Sequence, residues 1–265
     1  MSYLTHSDGT RFYYKDLGAG PTVLLAHSWA LDSSMWEYQI PVLVAAGYRC
    51  VAMDRRGHGR TDEPGTGYDL DTLADDLADL VNHLDLTEVA VLAHSMACAE
   101  VTRYLTRHGS ARVTRAAFVG SVTPFLRGAV GEASYEELLA EFAADRPAWF
   151  DAGKDAYFAV PGSGVSPPLV ADAVATILRS PLEVLLACQR AGTGTDVSAE
   201  LAALDVPVLV VHGDIDASAP LEVTGRPTAE LIPDSRLVVY PGGPHGLYLT
   251  HRDRLNEELL DWLAG

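Results

Sequence analysis

The segment Ala93-His94-Ser95-Met96-Ala97 sets a serine between an apolar run, Glu88 to His94, and a helical stretch that starts at Ala97. A serine hydroxyl attacks a carbonyl carbon when a histidine takes its proton, an acid orients that histidine, and two N–H donors receive the charge developing on the carbonyl oxygen. Candidates for the partners follow in chain order. Asp214 and Asp216 stand beyond the apolar run Val206 to His212, and His245 stands beyond Arg236 to Tyr240, after a Pro-Gly-Gly-Pro loop. Each has an ordinary reading alone: a serine caps a helix, an aspartate forms a turn, a loop histidine is solvated. Together they occupy the ends of successive apolar runs in the order serine, acid, histidine, where an open α/β sheet gathers its ligand site. The pattern points to acyl transfer through a serine, with Asp214 and Asp216 both open as the acid.

The flanks of that serine depart from G-x-S-x-G, because Ala93 and Ala97 stand where glycines serve the strained strand-to-helix turn. Glycine is useful there because the turn brings backbones close. Alanine adds one methyl, so an adjusted nucleophile is expected rather than a lost one.

The elements that must position these residues are legible as alternating periods. Thr22–His27, Arg49–Asp54, Glu88–His94, Arg115–Gly120, Val206–Gly213 and Arg236–Gly242 read as buried parallel strands. Between the second and third, Leu70, Leu73, Leu77, Leu80, Val81 and Leu84 recur at helical spacing, with Asp69 as N-cap and the carboxylates facing outward. A last amphipathic helix covers Leu255 to Leu263, and Arg11 to Asp16 after Ser7-Asp8-Gly9 reads as an edge hairpin. The expected fold is α/β, a mostly parallel eight-stranded sheet with helices on both faces. From Thr123 to Ala203 the strand rhythm stops, so residues 123–203 are expected to form a helical cap inserted between core segments 1–122 and 204–265.

The chain of 265 residues carries 36 acidic against 19 basic side chains, a net charge of −17, which repels nucleic acid and anionic lipid surfaces. Cys50, Cys98 and Cys188 are too few and scattered for a disulfide framework and imply a reducing compartment, expected to be the cytoplasm. No run approaches a membrane span, and the start, Met1 to Gly20, lacks the pattern of a secretory signal. Arg55 to Arg60, "RRGHGR", lacks the third glycine of a dinucleotide loop and reads as a structural turn. His27 and His212 are expected to brace loops. No metal ligand spacing is present, and no cofactor is expected. The expected partner is a small-molecule substrate; assembly into a homo-oligomer stays open.

At the exit of the first long strand, His27-Ser28-Trp29 and Trp36 join Tyr48–Pro64, Asp76–Leu86, Thr102–Val113, Asp205–Pro220 and Gly242–Leu247 in a resemblance that spans nearly the whole chain apart from the cap. Through these residues the sequence resembles the α/β-hydrolase family, and within it the cofactor-free haloperoxidases and aryl esterases. The family pattern H-G-x-x-D-x-x-x-P falls on His212, Gly213, Asp216 and Pro220. The resemblance therefore implies Asp216 as the acid, His245 as the base, Ser95 as the nucleophile, and the backbone amides of Trp29 and Met96 as the oxyanion hole. Ser28, Ala93, Ala97 and Cys98 all replace residues that are usually glycine in those relatives, which implies a reshaped pocket. Ser28 is expected to offer a hydroxyl near the oxyanion or substrate, and Cys98 to be packed rather than reactive.

Expected substrate contacts are Ser28, His94, Phe125, Trp149 and Phe158, with Phe150 and Tyr157 as further cap aromatics. The implied function is a serine esterase or lactonase acting on a small, largely apolar acyl substrate, with perhydrolysis and peroxide-dependent halogenation as a side activity. Two other classes stay open. His94, Ser95 and Trp29 are also similar to cofactor-free dioxygenases of this fold, although Leu31 stands where those carry a second histidine, so a dioxygenase or lyase using the His245/Asp216 pair is one. A non-catalytic small-ligand-binding protein is the other.

Overall fold

The central strands form where no residue meets solvent. In the computed structural model, which describes residues 2–265, β3 (Thr22–Ala26), β5 (Val89–His94) and β7 (Val208–Gly213) are buried at every position. Burial on both faces is what parallel strands need. They share one eight-stranded sheet with β1 (Ser2–Thr5), β2 (Arg11–Leu17), β4 (Arg49–Met53), β6 (Val113–Val119) and β8 (Ser235–Tyr240), in the order β1-β2-β4-β3-β5-β6-β7-β8. The first two strands form the expected hairpin, with Ser2 opposite Tyr14 and Thr5 opposite Arg11, and β2 also runs antiparallel to β4. The pairs from β4 to β8 are parallel.

The two-residue period of each strand divides the core in two. Leu24, Val51, Val91, Phe118 and Val210 face one side, packed with Leu70, Leu77, Val81, Val101 and Tyr104 of helices α2 (Leu70–His83) and α3 (Ala97–His108). Val23, Leu25, Ala52, Leu92, Ala117 and Val211 face the other, packed with Trp36, with Ile40 and Leu43 of α1 (Ile40–Ala45), and with Leu255 and Leu259 near the C-terminus.

Between β6 and β7 the chain is helical: α4 (Leu126–Val130), α5 (Glu132–Ala144), α6 (Arg146–Phe158), α7 (Pro167–Ile177), α8 (Leu182–Gly194) and α9 (Ser198–Leu201). Helix α10 (Gly225–Leu231) joins β7 to β8, and α11 (Leu247–Thr250) and α12 (Arg252–Ala264) follow. Among the described residues, no helix is long and apolar enough to cross a membrane.

Helix α2 starts where expected, the Asp69 carboxylate accepting from the Thr72 amide. One expectation for this helix is corrected. Asp71, Asp75 and Asp79 reach solvent, but Asp76 is only 2% exposed. Its two oxygens take Nε and Nη2 of the equally buried Arg56 at 2.9 and 2.7 Å, and Arg56 also reaches Asp8 at 2.7 Å. A bidentate guanidinium offsets the desolvation that otherwise keeps an aspartate on the outer face. The turn read from "RRGHGR" thus pins α2 to the sheet. Replacing Asp76 by Ala leaves the Arg56 charge buried with only Asp8, and is expected to cost about 3 to 5 kcal/mol of stability in a urea titration.

Candidate active site

The last residue of β5 hands the chain to Ser95, whose φ of +58° lies in the left-handed region. That conformation is held from both sides: the Ser95 amide donates to the Val119 carbonyl at 2.9 Å, and the Ser95 carbonyl accepts from Cys98 N–H at 3.1 Å as α3 begins. Ala93 and Ala97 do not share the positive φ. Both are 0% exposed and belong to the core cluster on the α2/α3 side, so their methyls fill space. Cys98 is buried with its thiol 3.6 Å from the Ala93 carbonyl, and burial pushes that thiol up to about 12. It is a packed residue, as a buried thiol with no cationic neighbour should be.

The positive φ projects the Ser95 hydroxyl to 2.9 Å from His245 Nε2, and His245 Nδ1 lies 2.7 Å from Asp216 Oδ2. The other Asp216 oxygen accepts from the amides of Ser218 and Ala219 at 2.9 and 2.7 Å. With Nδ1 donating to this carboxylate, Nε2 is left to accept the serine proton. Burial pushes the Asp216 carboxyl up, but the charge and hydrogen bond of His245, with His212 and the Ala219 amide, outweigh it and hold the group below its usual range. The competing candidate lies elsewhere: Asp214 accepts from the Gly242 amide at 2.7 Å and ties two loops together. His212 braces the same region, its Nε2 donating to the Ala219 carbonyl at 2.7 Å. Gly120, just past β6 and beside the His245 and His94 imidazoles, has a φ of +54°, a left-handed conformation that favours glycine.

Among the described residues, neither the Trp29 nor the Met96 backbone N–H finds an acceptor within the chain, and both residues border the cavity into which Ser95 opens. The cavity holds about 430 Å³ and is roofed by the cap, chiefly Leu126, Leu138, Trp149, Phe150, Val174 and Ile177. The Trp29 indole donates to the Leu185 carbonyl of α8 at 2.8 Å and so fixes the loop to the cap.

Of the expected contacts, Ser28, Trp149 and Phe158 line this cavity, and so do Phe150 and Tyr157. Ser28 is buried, and it shares the cavity wall with Tyr157. Two expectations are corrected. Phe125 is not a wall residue; its ring stands at the start of α4, 5.6 Å from the Arg127 guanidinium. The wall falls instead to Val122, in the segment before α4, and to Leu126 in its first turn. His94 is 0% exposed and does not reach the cavity. Its Nε2 donates to the His245 carbonyl at 3.0 Å, its ring packs on His245 and Tyr248, and burial with the neighbouring His245 charge presses it down to about 3. A neutral imidazole behind the His245 loop is a brace rather than a substrate contact. Val122, Leu126, Val174 and Ile177 were not foreseen because apolar residues in this region carry no sequence signal that separates wall from core.

The chain matches the model of the alpha/beta hydrolase fold over residues 21–180, and that of a TAP-like protein over residues 179–264. A non-heme haloperoxidase of Rhodococcus erythropolis is 35% identical over 99% of both chains. A bifunctional esterase/perhydrolase of Acinetobacter calcoaceticus is 31% identical, again over 99% of both. Among solved structures, a bromoperoxidase from Bacillus anthracis superposes with a TM-score of 0.94 at 35% identity and full coverage of both chains.

Since the two methyls beside Ser95 pack rather than collide, Ala93→Gly and Ala97→Gly are each expected to lower stability by roughly 0.5 to 1 kcal/mol. Neither change should speed reaction of Ser95 with an organophosphorus probe. A faster reaction in either variant would show that the methyls restrain the serine.

Proposed function

The chain belongs to the α/β-hydrolase family, and from that premise we propose that it cleaves carboxylic esters through an acyl-enzyme formed on Ser95. The observation that carries this reading is the unbroken line from Ser95 Oγ through His245 to Asp216, at 2.9 and 2.7 Å, on the floor of an apolar cavity.

Ser95 Oγ attacks the carbonyl carbon while its proton passes to His245 Nε2, and Asp216 stabilises the imidazolium that results. The oxyanion sits between the Trp29 and Met96 amides, each lowering the barrier by about 3 kcal/mol in comparable sites. Collapse of the tetrahedral adduct expels the alkoxide, which takes the proton from His245. Water then gives its proton to the same nitrogen and attacks the acyl carbon, releasing the acid and restoring Ser95. Hydrogen peroxide in the place of that water yields a peracid, which oxidises halide in solution; the haloperoxidase and esterase/perhydrolase names of the relatives support this side activity. A cavity of about 430 Å³ with Leu, Ile, Val and aromatic walls suits a small apolar acyl group, as a simple ester or a lactone. Three buried, unpaired cysteines support a reducing compartment such as the cytoplasm for this reaction.

Intact mass after incubation with a small fluorophosphonate, followed by peptide mapping, tests the reading. One adduct on Ser95, absent in His245→Ala, is expected; folded wild-type protein that takes no adduct would sink the acyl-enzyme. In Asp216→Asn, kcat on an ester substrate should fall about 10⁴-fold, because the imidazole loses the partner that sets its tautomer. Asp216 titrates below its unfolded value, so its contribution to stability is present above the ordinary carboxyl range and lost as pH falls through it. The stability gap between wild type and Asp216→Asn should therefore narrow on acidification in denaturant titrations; a gap that widens would contradict the assignment.

A further inference from the structure

The buried ion pair of Arg55 and Glu100 has no part in the chemistry above, although it lies between the two segments that carry the oxyanion donors. Arg55 is 4% exposed and Glu100 3%. Arg55 Nε meets Glu100 Oε1 at 2.6 Å, Nη2 donates to the His27 carbonyl at 2.5 Å, and Nη1 donates to the Ser28 carbonyl at 3.1 Å. The Ser28 carbonyl also accepts from His27 Nδ1 at 2.7 Å, and His27 Nε2 accepts from the Arg55 amide at 2.7 Å.

The Ser28 carbonyl and the Trp29 N–H belong to one peptide plane. In a trans peptide the two point in opposite directions, so donors that hold the oxygen also aim the N–H. Arg55 and His27 hold that oxygen from one side, which leaves the Trp29 N–H directed away from them. The same guanidinium reaches Glu100 in the first turn of α3, the helix capped by Met96. One side chain therefore spans from the peptide that ends in the first donor to the helix that begins with the second.

We propose that Arg55 and Glu100 form a strut that sets the orientation of the Trp29 amide and its spacing from the Met96 amide, so that both act as positioning residues for the oxyanion hole. This rests on the reading of those amides as oxyanion donors. The strut touches neither substrate nor the reacting atoms. It acts on the transition state, where the negative oxygen forms, and leaves binding of the uncharged ester nearly untouched.

The test compares wild type with Arg55→Met/Glu100→Met, a pair that removes both charges together and avoids stranding one of them in the core. Expected is a fall in kcat of about a hundredfold with KM within about twofold, the size that loss of donor alignment produces. Affinity for a boronic acid, which forms a tetrahedral adduct on Ser95, should fall with kcat/KM, while affinity for the carboxylic acid product stays constant. Glu100→Gln, which keeps shape and an acceptor, gives a smaller loss in the same direction and carries the test if the double variant does not fold. A folded variant with wild-type kcat and boronic acid affinity overturns the strut, as does a loss confined to KM or to melting temperature. Fluorophosphonate labelling separates the two levels. Wild type that takes no Ser95 adduct ends the acyl-enzyme reading and the strut with it, whereas labelling of variants at the wild-type rate removes the strut alone.

Discussion

The left-handed backbone at Ser95 is the constraint on which the rest of the molecule depends. A non-glycine residue at φ +58° costs on the order of 1 kcal/mol or more, and persists only where its surroundings leave no alternative. Here β5 lies inside the sheet with β3 and β6 on either side, the Ser95 amide is bonded to β6, and α3 is packed to the sheet through Ala97, Val101 and Tyr104. The strand ends pointing one way and the helix departs another, so the residue at the junction must turn, and its side chain is thrown clear of both. A hydroxyl turned into the cavity is thus a by-product of a rigid sheet.

The same rigidity explains how glycines can be replaced around the serine. Glycine is favoured where φ is positive and required where backbones approach within a Cβ radius. Beside the histidine and acid loops the first condition falls on Gly120, at φ +54°, and the second on Gly213, where a Cβ would lie 1.8 Å from the Gly243 carbonyl oxygen. They do not fall on Ala93 or Ala97, which point into the core and add apolar contact there. The departures at Ala93 and Ala97 are therefore packing changes, while glycine stands at the positions whose geometry the histidine and acid loops need.

Three polar side chains around the site are each held by a partner that belongs to another element. Asp76 meets Arg56 from the turn after β4, Glu100 meets Arg55 from the same turn, and the Trp29 indole meets the cap. A buried charge without its partner is expensive, so each pair ties its elements to a single arrangement. Two arginines of one turn thereby fasten α2 and α3 to the sheet, and one of them reaches the loop that faces Ser95.

The amino-acid sequence alone determined the alternation of strands and helices, the hairpin, the N-cap of α2 and the order serine, acid, histidine, because these are written in local period and in residues with few uses, such as a histidine after a glycine-rich loop. The choice of Asp216 over Asp214 needed a family pattern; the tertiary structure supplies the physical ground, since the two stand two residues apart on one loop and only the fold decides which carboxylate turns to His245 and which to Gly242. The inward turn of Asp76, the retreat of His94 behind His245 and the displacement of Phe125 by Leu126 were likewise settled only in three dimensions. A side chain's type is a local property, but its burial depends on which distant residue arrives to meet it, and that information lies between elements rather than within them.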